Sequence, residues 1–197
     1  MLHIRVKPKT IQMKKLNLII LFLATITCYG QKCKAHISNK DEMTEVTTEL
    51  WGGKLDSKST IVSGKGYDIK LLVAMDKEAN KPYAILNIVN NVSADDADIF
   101  DINFTKGVEY ILKTEGSLIK LKIDKVFKSK NRFMSTFSIT NQIVSTLTET
   151  DIKLLSTENL SMFRVITESG QKIEGKVDNK NSKKLKSQFE CFTKNNY

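Results

Sequence analysis

Four aspartates crowd one short stretch of the chain, Asp95, Asp96, Asp98 and Asp101. Carboxylate oxygens gathered in a loop are the hard ligands that calcium takes, so these four are the candidate metal-binding residues. The stretch lacks the central glycine and closing glutamate of an EF-hand loop, and a solvated acidic turn is the plainer expectation. The same residues are where a small carboxylate-dependent hydrolase would be built, although no pair among them stands out. Histidine chemistry has little to work with, since His36 is the one histidine beyond residue 30, and an exposed imidazole is its simpler reading. Cys191 as a nucleophile competes with a disulfide and loses to it on economy. Trp51, Tyr67, Tyr83 and Tyr110 offer stiff amphipathic rings for a glycan or peptide face, but aromatics on alternating strands more often pack across a sheet. Gly64-Lys65-Gly66 lacks the surroundings of a phosphate loop and reads as a turn. No catalytic residue and no cofactor are expected.

These residues must be carried by a chain of 197 residues, a length suited to one domain with a short appendage. The appendage is the beginning. Lys14 and Lys15 precede the apolar run from Leu16 to Ile26, and Thr27-Cys28-Tyr29-Gly30 follows. A positive segment, an apolar segment and small residues in that order mark a cleavable export signal. The apolar run is shorter than the roughly 20 residues a membrane-spanning helix needs. Residues 1–30 are therefore read as a signal peptide, with Met13 a conventional start and 1–12 an upstream extension or a long n-region. Residues 31–197 are read as a single β-rich domain.

Removing the leader changes the electrostatics. Five of the 31 basic residues and none of the 22 acidic ones lie in residues 1–30, so the net charge of +9 falls to +4 for the remainder. The cluster Lys180, Lys183, Lys184 and Lys186 then reads as a solvated helix face, and nucleic acid is not an expected partner. Cysteine usage fits export: Cys28 falls in the leader, leaving Cys33 and Cys191 as an even pair for one disulfide in an oxidising compartment. Chain entropy assigns about 5 kcal/mol to so long a loop, against measured values of about 2–4. Two unpaired thiols, or lipid attachment at Cys28, are the alternatives.

Beyond Thr44 the apolar residues alternate with period two, the mark of strands with one buried face. A strand is predicted over 43–51, ending at the pair Gly52-Gly53. A long hairpin follows, from Tyr67–Met75 to Tyr83–Val89, and apolar residues on both faces (Leu72, Ile85, Val89) predict central strands covered on both sides. A second hairpin joins Val108–Leu112 to Ile119–Ile123. After a basic loop over Lys125–Arg132, alternation resumes at Phe133, Phe137 and Ile139. Thr148 and Asp151 form a capping-box-like start for a helix of about two turns carrying Ile152 and Leu155. Two more strands, near 162–166 and 173–177, precede a closing helix with the stripe Leu185, Phe189 and Phe192. The predicted class is α+β: about eight mostly antiparallel strands in a sandwich or a partly open barrel, with two short helices near the C-terminus.

Several segments resemble a known pattern. Asn39-Lys40-Asp41-Glu42-Met43-Thr44 with its Thr-rich strand to Trp51 is similar to the DEFTG-like opening of small uncharacterised exported proteins of Bacteroidota. Thr105-Lys106-Gly107 with Tyr110–Leu121, then Leu147–Leu155, then Phe163-Arg164-Val165, then Asn181-Ser182-Lys183-Lys184-Leu185 and Phe189-Glu190-Cys191 follow in the same order. The resemblance implies an exported mixed-β protein and supplies no catalytic residue. With the leader and the absence of a catalytic constellation, it leads to an exported, non-enzymatic envelope or surface protein, periplasmic or extracellular. Its expected partner is a protein, a glycan or a small ligand, and a barrel carrying an apolar ligand is an alternative. Intact mass of the protein purified from its producing cells without reduction is the direct check. A chain beginning at Gln31 and two hydrogens light is expected, whereas a lipid increment on a chain beginning at Cys28 would make it a lipoprotein.

Overall fold

The computed structural model describes residues 33–40, 47–59, 66–93, 102–133 and 136–197. Ten strands and two helices are placed within them, in the order β1 (Ile37–Lys40), β2 (Thr47–Ser59), β3 (Gly66–Asp76), β4 (Lys81–Ser93), β5 (Glu109–Thr114), β6 (Leu118–Lys122), β7 (Lys125–Phe133), β8 (Thr136–Thr146), α1 (Glu149–Thr157), β9 (Leu160–Ile166), β10 (Lys172–Lys176) and α2 (Asn179–Asn196). All strand pairs are antiparallel. They form a six-stranded sheet in the order β1-β2-β3-β4-β8-β7 and a four-stranded sheet in the order β10-β9-β5-β6. The sheets do not close into a barrel, so the sandwich is the alternative adopted and the barrel interior expected of an apolar-ligand carrier is not formed.

Alternation decides which side chains fill the space between the layers. Ile69, Leu71 and Val73 of β3 and Ala84, Leu86 and Ile88 of β4 are buried on one face of the larger sheet. Leu112 of β5, Ile119 and Leu121 of β6, and Phe163 and Val165 of β9 belong to the same apolar cluster. The stripe predicted for the closing helix does the same, since Leu185, Phe189 and Phe192 are all buried in it. At 18 residues α2 is longer than the short helix expected. Asp178 caps its start, accepting the Asn181 backbone N–H at 2.8 Å, which satisfies one of the orphan donors of the first turn. In α1 the capping box is complete: Asp151 N–H donates to Thr148 Oγ1 at 3.1 Å, and Thr148 N–H donates to Asp151 Oδ2 at 2.9 Å.

Two sequence expectations are corrected. Gly52-Gly53 does not end a strand but lies inside β2, opposite Leu72 and Leu71. Gly52 has φ +145°, and a Cβ there would stand 2.1 Å from the Leu71 carbonyl oxygen. A Cβ at Gly53 would stand 3.8 Å from Leu185 Cδ2, so α2 packs over β2 at this residue. The second correction concerns Lys125–Arg132, which is an edge strand rather than a loop. Its charged positions obscured the period-two signal because an edge strand meets only one neighbour and tolerates lysine where a central strand would not. Ile37–Lys40, which carries one apolar side chain and no alternation to mark it, is a strand as well. The two additional strands account for ten where about eight were expected. Cys33 and Cys191 are both disulfide-bonded.

A carboxylate ties the helical segment to the smaller sheet. Glu158, just past α1, accepts hydrogen bonds from the Thr114 hydroxyl, the Gly116 backbone N–H at 3.2 Å and the Ser117 hydroxyl at 3.3 Å. It thereby clamps the β5–β6 turn, and these donors, Thr114 first, hold its pKa below the ordinary 4.5. A depressed carboxylate pKa contributes stability that is fully present above the unfolded value and is lost as pH falls through the folded one. Glu158→Gln is therefore expected to be less stable than the natural protein at neutral pH, with the gap closing below about pH 4.5 in urea titrations. The two glycine environments give a second test. Gly52→Ala is expected to cost about 2–3 kcal/mol or more, because positive φ and a backbone clash coincide. Gly170→Ala, at φ +80° with nothing within 4 Å of the new Cβ, is expected to cost about 1 kcal/mol.

Candidate functional site

The inner face of the larger sheet is sealed by the second layer, which leaves its outer face to chemistry. Pairing register sets the composition of that face. Leu72, Ile85, Val144 and Lys125 lie side by side across β3, β4, β8 and β7, and Asn87, Gln142 and Phe127 form the adjacent row. Tyr83 stands opposite Thr146 at the end nearest the β3–β4 turn. Leu72 is buried, Ile85 and Val144 are half-buried, and Phe127 is 56% exposed. The expectation that β3 and β4 are covered on both sides therefore holds for Leu72 but not for Ile85 or Val89, whose side chains remain partly open to solvent.

A groove of about 700 Å³ runs over this surface, with Tyr83, Ile85, Val144 and Phe127 among the residues lining it. One end is walled by the β3–β4 turn, which Asp76 holds by accepting the Glu78 and Ala79 backbone N–H groups at 3.1 and 3.0 Å. Asn80 closes that turn at φ +49°, a conformation asparagine tolerates better than most residues. Asp124 and Lys125 also line the groove, at the corner where the chain crosses from β6 to β7. Asp124 Oδ2 accepts both the Thr146 N–H at 2.7 Å and the Thr146 hydroxyl at 2.9 Å, and the Asp124 N–H donates to the Val144 carbonyl at 2.9 Å. The groove thus combines an apolar floor with carboxylates, amines and an amide at its borders, the combination usual for ligand sites. Burial, and secondarily the Asp76 charge, raises the Tyr83 phenol above its usual value, so it remains a neutral hydroxyl able to donate a hydrogen bond.

A smaller depression of about 250 Å³ lies on the outer face of the four-stranded sheet, lined by Ile111, Lys113, Leu118, Met162, Phe163 and Arg164. Arg164 Nε donates to Glu174 Oε2 at 2.6 Å there.

The sequence candidates are dispersed. Asp95, Asp96, Asp98 and Asp101 lie outside the described residues. Among the described residues, no three His, Cys, Asp or Glu side chains come together in a metal-holding arrangement. His36 is exposed, its pKa lowered first by partial burial and then by the charges of Lys70 and Lys184. The four aromatics do not form a common face. Trp51 and Tyr110 are 3% and 1% exposed in the core, Tyr67 donates its hydroxyl to Asp56 Oδ2 at 2.9 Å, and Tyr83 lines the groove. Burial pushes the Tyr110 phenol far above its usual value. The lysines of α2 are solvated as expected, with Lys180, Lys183 and Lys184 exposed.

Sequence reasoning missed Phe127, Gln142 and Val144. The adjacent apolar pair Val126-Phe127 inside a basic run was the available signal, because two β-favouring residues in a row place one on each face of a strand. Among the described residues no helix is long and apolar enough to cross a membrane. No family model matches the chain, and no curated protein or solved structure is significantly similar to it.

Proposed function

We propose that this chain is an exported, non-enzymatic binding module of the cell envelope or surface, and that its ligand is taken by the groove on the outer face of the six-stranded sheet. The observation that carries this reading is the exposed Phe127 ring beside half-buried Tyr83, Ile85 and Val144 in one groove. A large apolar ring left in water beside a concave apolar floor is uncompensated by folding, and covering it favours binding at about 25 cal/mol per Å² of apolar surface removed from water. The carboxylate, amine and amide groups around the floor supply orientation, since polar groups at a pocket border fix the pose of what the floor holds. The leader before residue 31 and the resemblance to exported Bacteroidota proteins support placement outside the cytoplasm.

The test is a titration of the protein with oligosaccharides, extended peptides and fatty acids, following the NMR signals of Tyr83, Ile85 and Gln142. At least one ligand class is expected to shift these signals and to lose its effect in Phe127→Asp. That exposed substitution is expected to leave stability within about 0.5 kcal/mol of the natural protein. Silence at the groove for every class would overturn the reading, as would turnover of an envelope polymer that a single substitution abolishes.

A further inference from the structure

Register across β10, β9, β5 and β6 sets the outer face of the four-stranded sheet. Two rows cross it completely, Glu174-Arg164-Ile111-Lys120 and Lys176-Met162-Lys113-Leu118, and the pairs Lys172-Ile166 and Glu109-Lys122 extend it on the same side. All of these residues are exposed or half-buried, whereas Leu112, Ile119, Phe163 and Val165, which alternate with them, fill the core. The face therefore carries six cations, two carboxylates and four apolar side chains, a net +4. That equals the net charge of the whole chain beyond residue 30, so the basic excess of the domain is gathered here. Arg164 is paired with Glu174 at 2.6 Å. Lys113, Lys120, Lys122, Lys172 and Lys176 have no carboxylate within salt-bridge distance among the described residues. The acids of the adjoining β5–β6 turn are held by other groups, Glu115 by the Asn159 amide at 3.1 Å and Glu158 by the turn itself. Between the cations, Ile166, Ile111 and Leu118 cross the sheet diagonally. Leu118 is 59% exposed, and with Ile111 and Met162 it lines the depression of about 250 Å³.

We propose that this face docks flat on an anionic lipid bilayer, its lysines meeting the headgroup phosphates and Leu118, Met162 and Ile111 entering the boundary between headgroups and acyl chains. It is a second surface, on the other sheet from the groove, and its case does not depend on the groove having a ligand. Charge complementarity selects a negative partner, since five lysines without a carboxylate of their own gain by standing next to fixed anions. The apolar residues select among negative partners. An acidic polysaccharide or a nucleic acid would meet the lysines and leave Leu118, Met162 and Ile111 in water. A bilayer answers both, because interfacial binding adds the burial of apolar surface to the attraction of anionic headgroups. Lysine beside an apolar residue does not oppose this, since its stem lies along apolar surface while the ammonium stays at headgroup level. A second copy of this chain docking face to face would set six cations against six, so the occupant is not a twin.

The experiment sediments the protein purified from its producing cells with vesicles of phosphatidylglycerol and phosphatidylethanolamine in equal parts, and in parallel with vesicles of phosphatidylcholine alone. Binding to the anionic vesicles only is expected, with release as salt is raised. Lys113→Gln combined with Lys120→Gln is expected to weaken it roughly 25-fold, about fivefold per lysine. Lys180→Gln combined with Lys183→Gln, which removes the same charge from the exposed side of α2, is expected to change it less than about twofold. Leu118→Asn is expected to weaken it severalfold while leaving its salt dependence unchanged. All of these positions are exposed, so urea midpoints matching the natural protein are expected and show that each variant folds. In anionic bicelles the NMR signals of Ile111 and Met162 are expected to broaden and those of Ile85 and Val144 in the groove to remain sharp. Equal loss in the two lysine pairs would reduce the effect to net charge and overturn the docking face. Equal binding to phosphatidylcholine, no binding to the anionic vesicles, indifference to Leu118→Asn, or broadening confined to the groove would each overturn it as well. If a sulfated polysaccharide or DNA binds through Lys113 and Lys120 while vesicles do not, the face serves an anionic polymer and lipid docking is overturned.

Discussion

The close approach of α2 to the six-stranded sheet is the contact on which the rest of this structure depends. The helix lies against β2 and β3 of one sheet, β9 of the other, and α1. Its buried stripe of Leu185, Phe189 and Phe192 is part of the apolar cluster shared by both sheets. Leu185 lies over Gly53 of β2, where a Cβ would stand in ordinary contact with it at 3.8 Å. Gly52 contributes differently, through a backbone conformation that brings β2 against Leu71 more closely than any side chain would allow. Because aromatic rings pack at the density of an organic crystal, the helix has little freedom to shift once Phe189 and Phe192 are in place.

From this packing follows the division of labour between the faces of the larger sheet. One face is filled by the second sheet and by α2. The other retains half-buried apolar residues in its central strands and an exposed ring on its edge, because nothing among the described elements packs there as a second layer. Antiparallel sheets ordinarily turn a polar face to water, and the row Leu72, Ile85, Val144 departs from that rule. The departure is what makes the groove a candidate site rather than an ordinary surface. The carboxylate at the corner reinforces it, since Asp124 fixes the crossing from the smaller sheet to β7 through Thr146 and so places Lys125 and Phe127 beside Val144.

Alternation and capping were legible in the residues because both are local. The hairpin of β3 and β4, the pairing of β5 with β6, the capping box at Thr148 and the stripe of α2 each depend on side chains a few positions apart. Edge strands were not legible. β1 offers Ile37 as its one apolar side chain, 45% exposed, and β7 replaces the expected apolar positions with lysine and arginine. Such segments become strands because a neighbour supplies a ladder, which no local pattern reveals. The groove failed to show for a related reason. Tyr83 and Ile85 belong to β4, Val144 to β8 and Phe127 to β7, so its floor is assembled by register between strands that are up to 63 positions apart in the chain.

By itself, then, the order of residues determined the mostly antiparallel class, the two late helices with their caps and buried stripes, and the even pair of cysteines expected to bond. Periodicity and hydrogen-bonding chemistry act over single turns and single strands, where sequence distance and spatial distance coincide. Only the tertiary structure decided that the sheets stay open, that Gly52-Gly53 runs on inside β2 instead of ending a strand, and that the four aromatics part company between core and groove. Those outcomes depend on which strands become neighbours and which face each one turns inward, and burial against distant partners, rather than any local preference, selects among the possible arrangements.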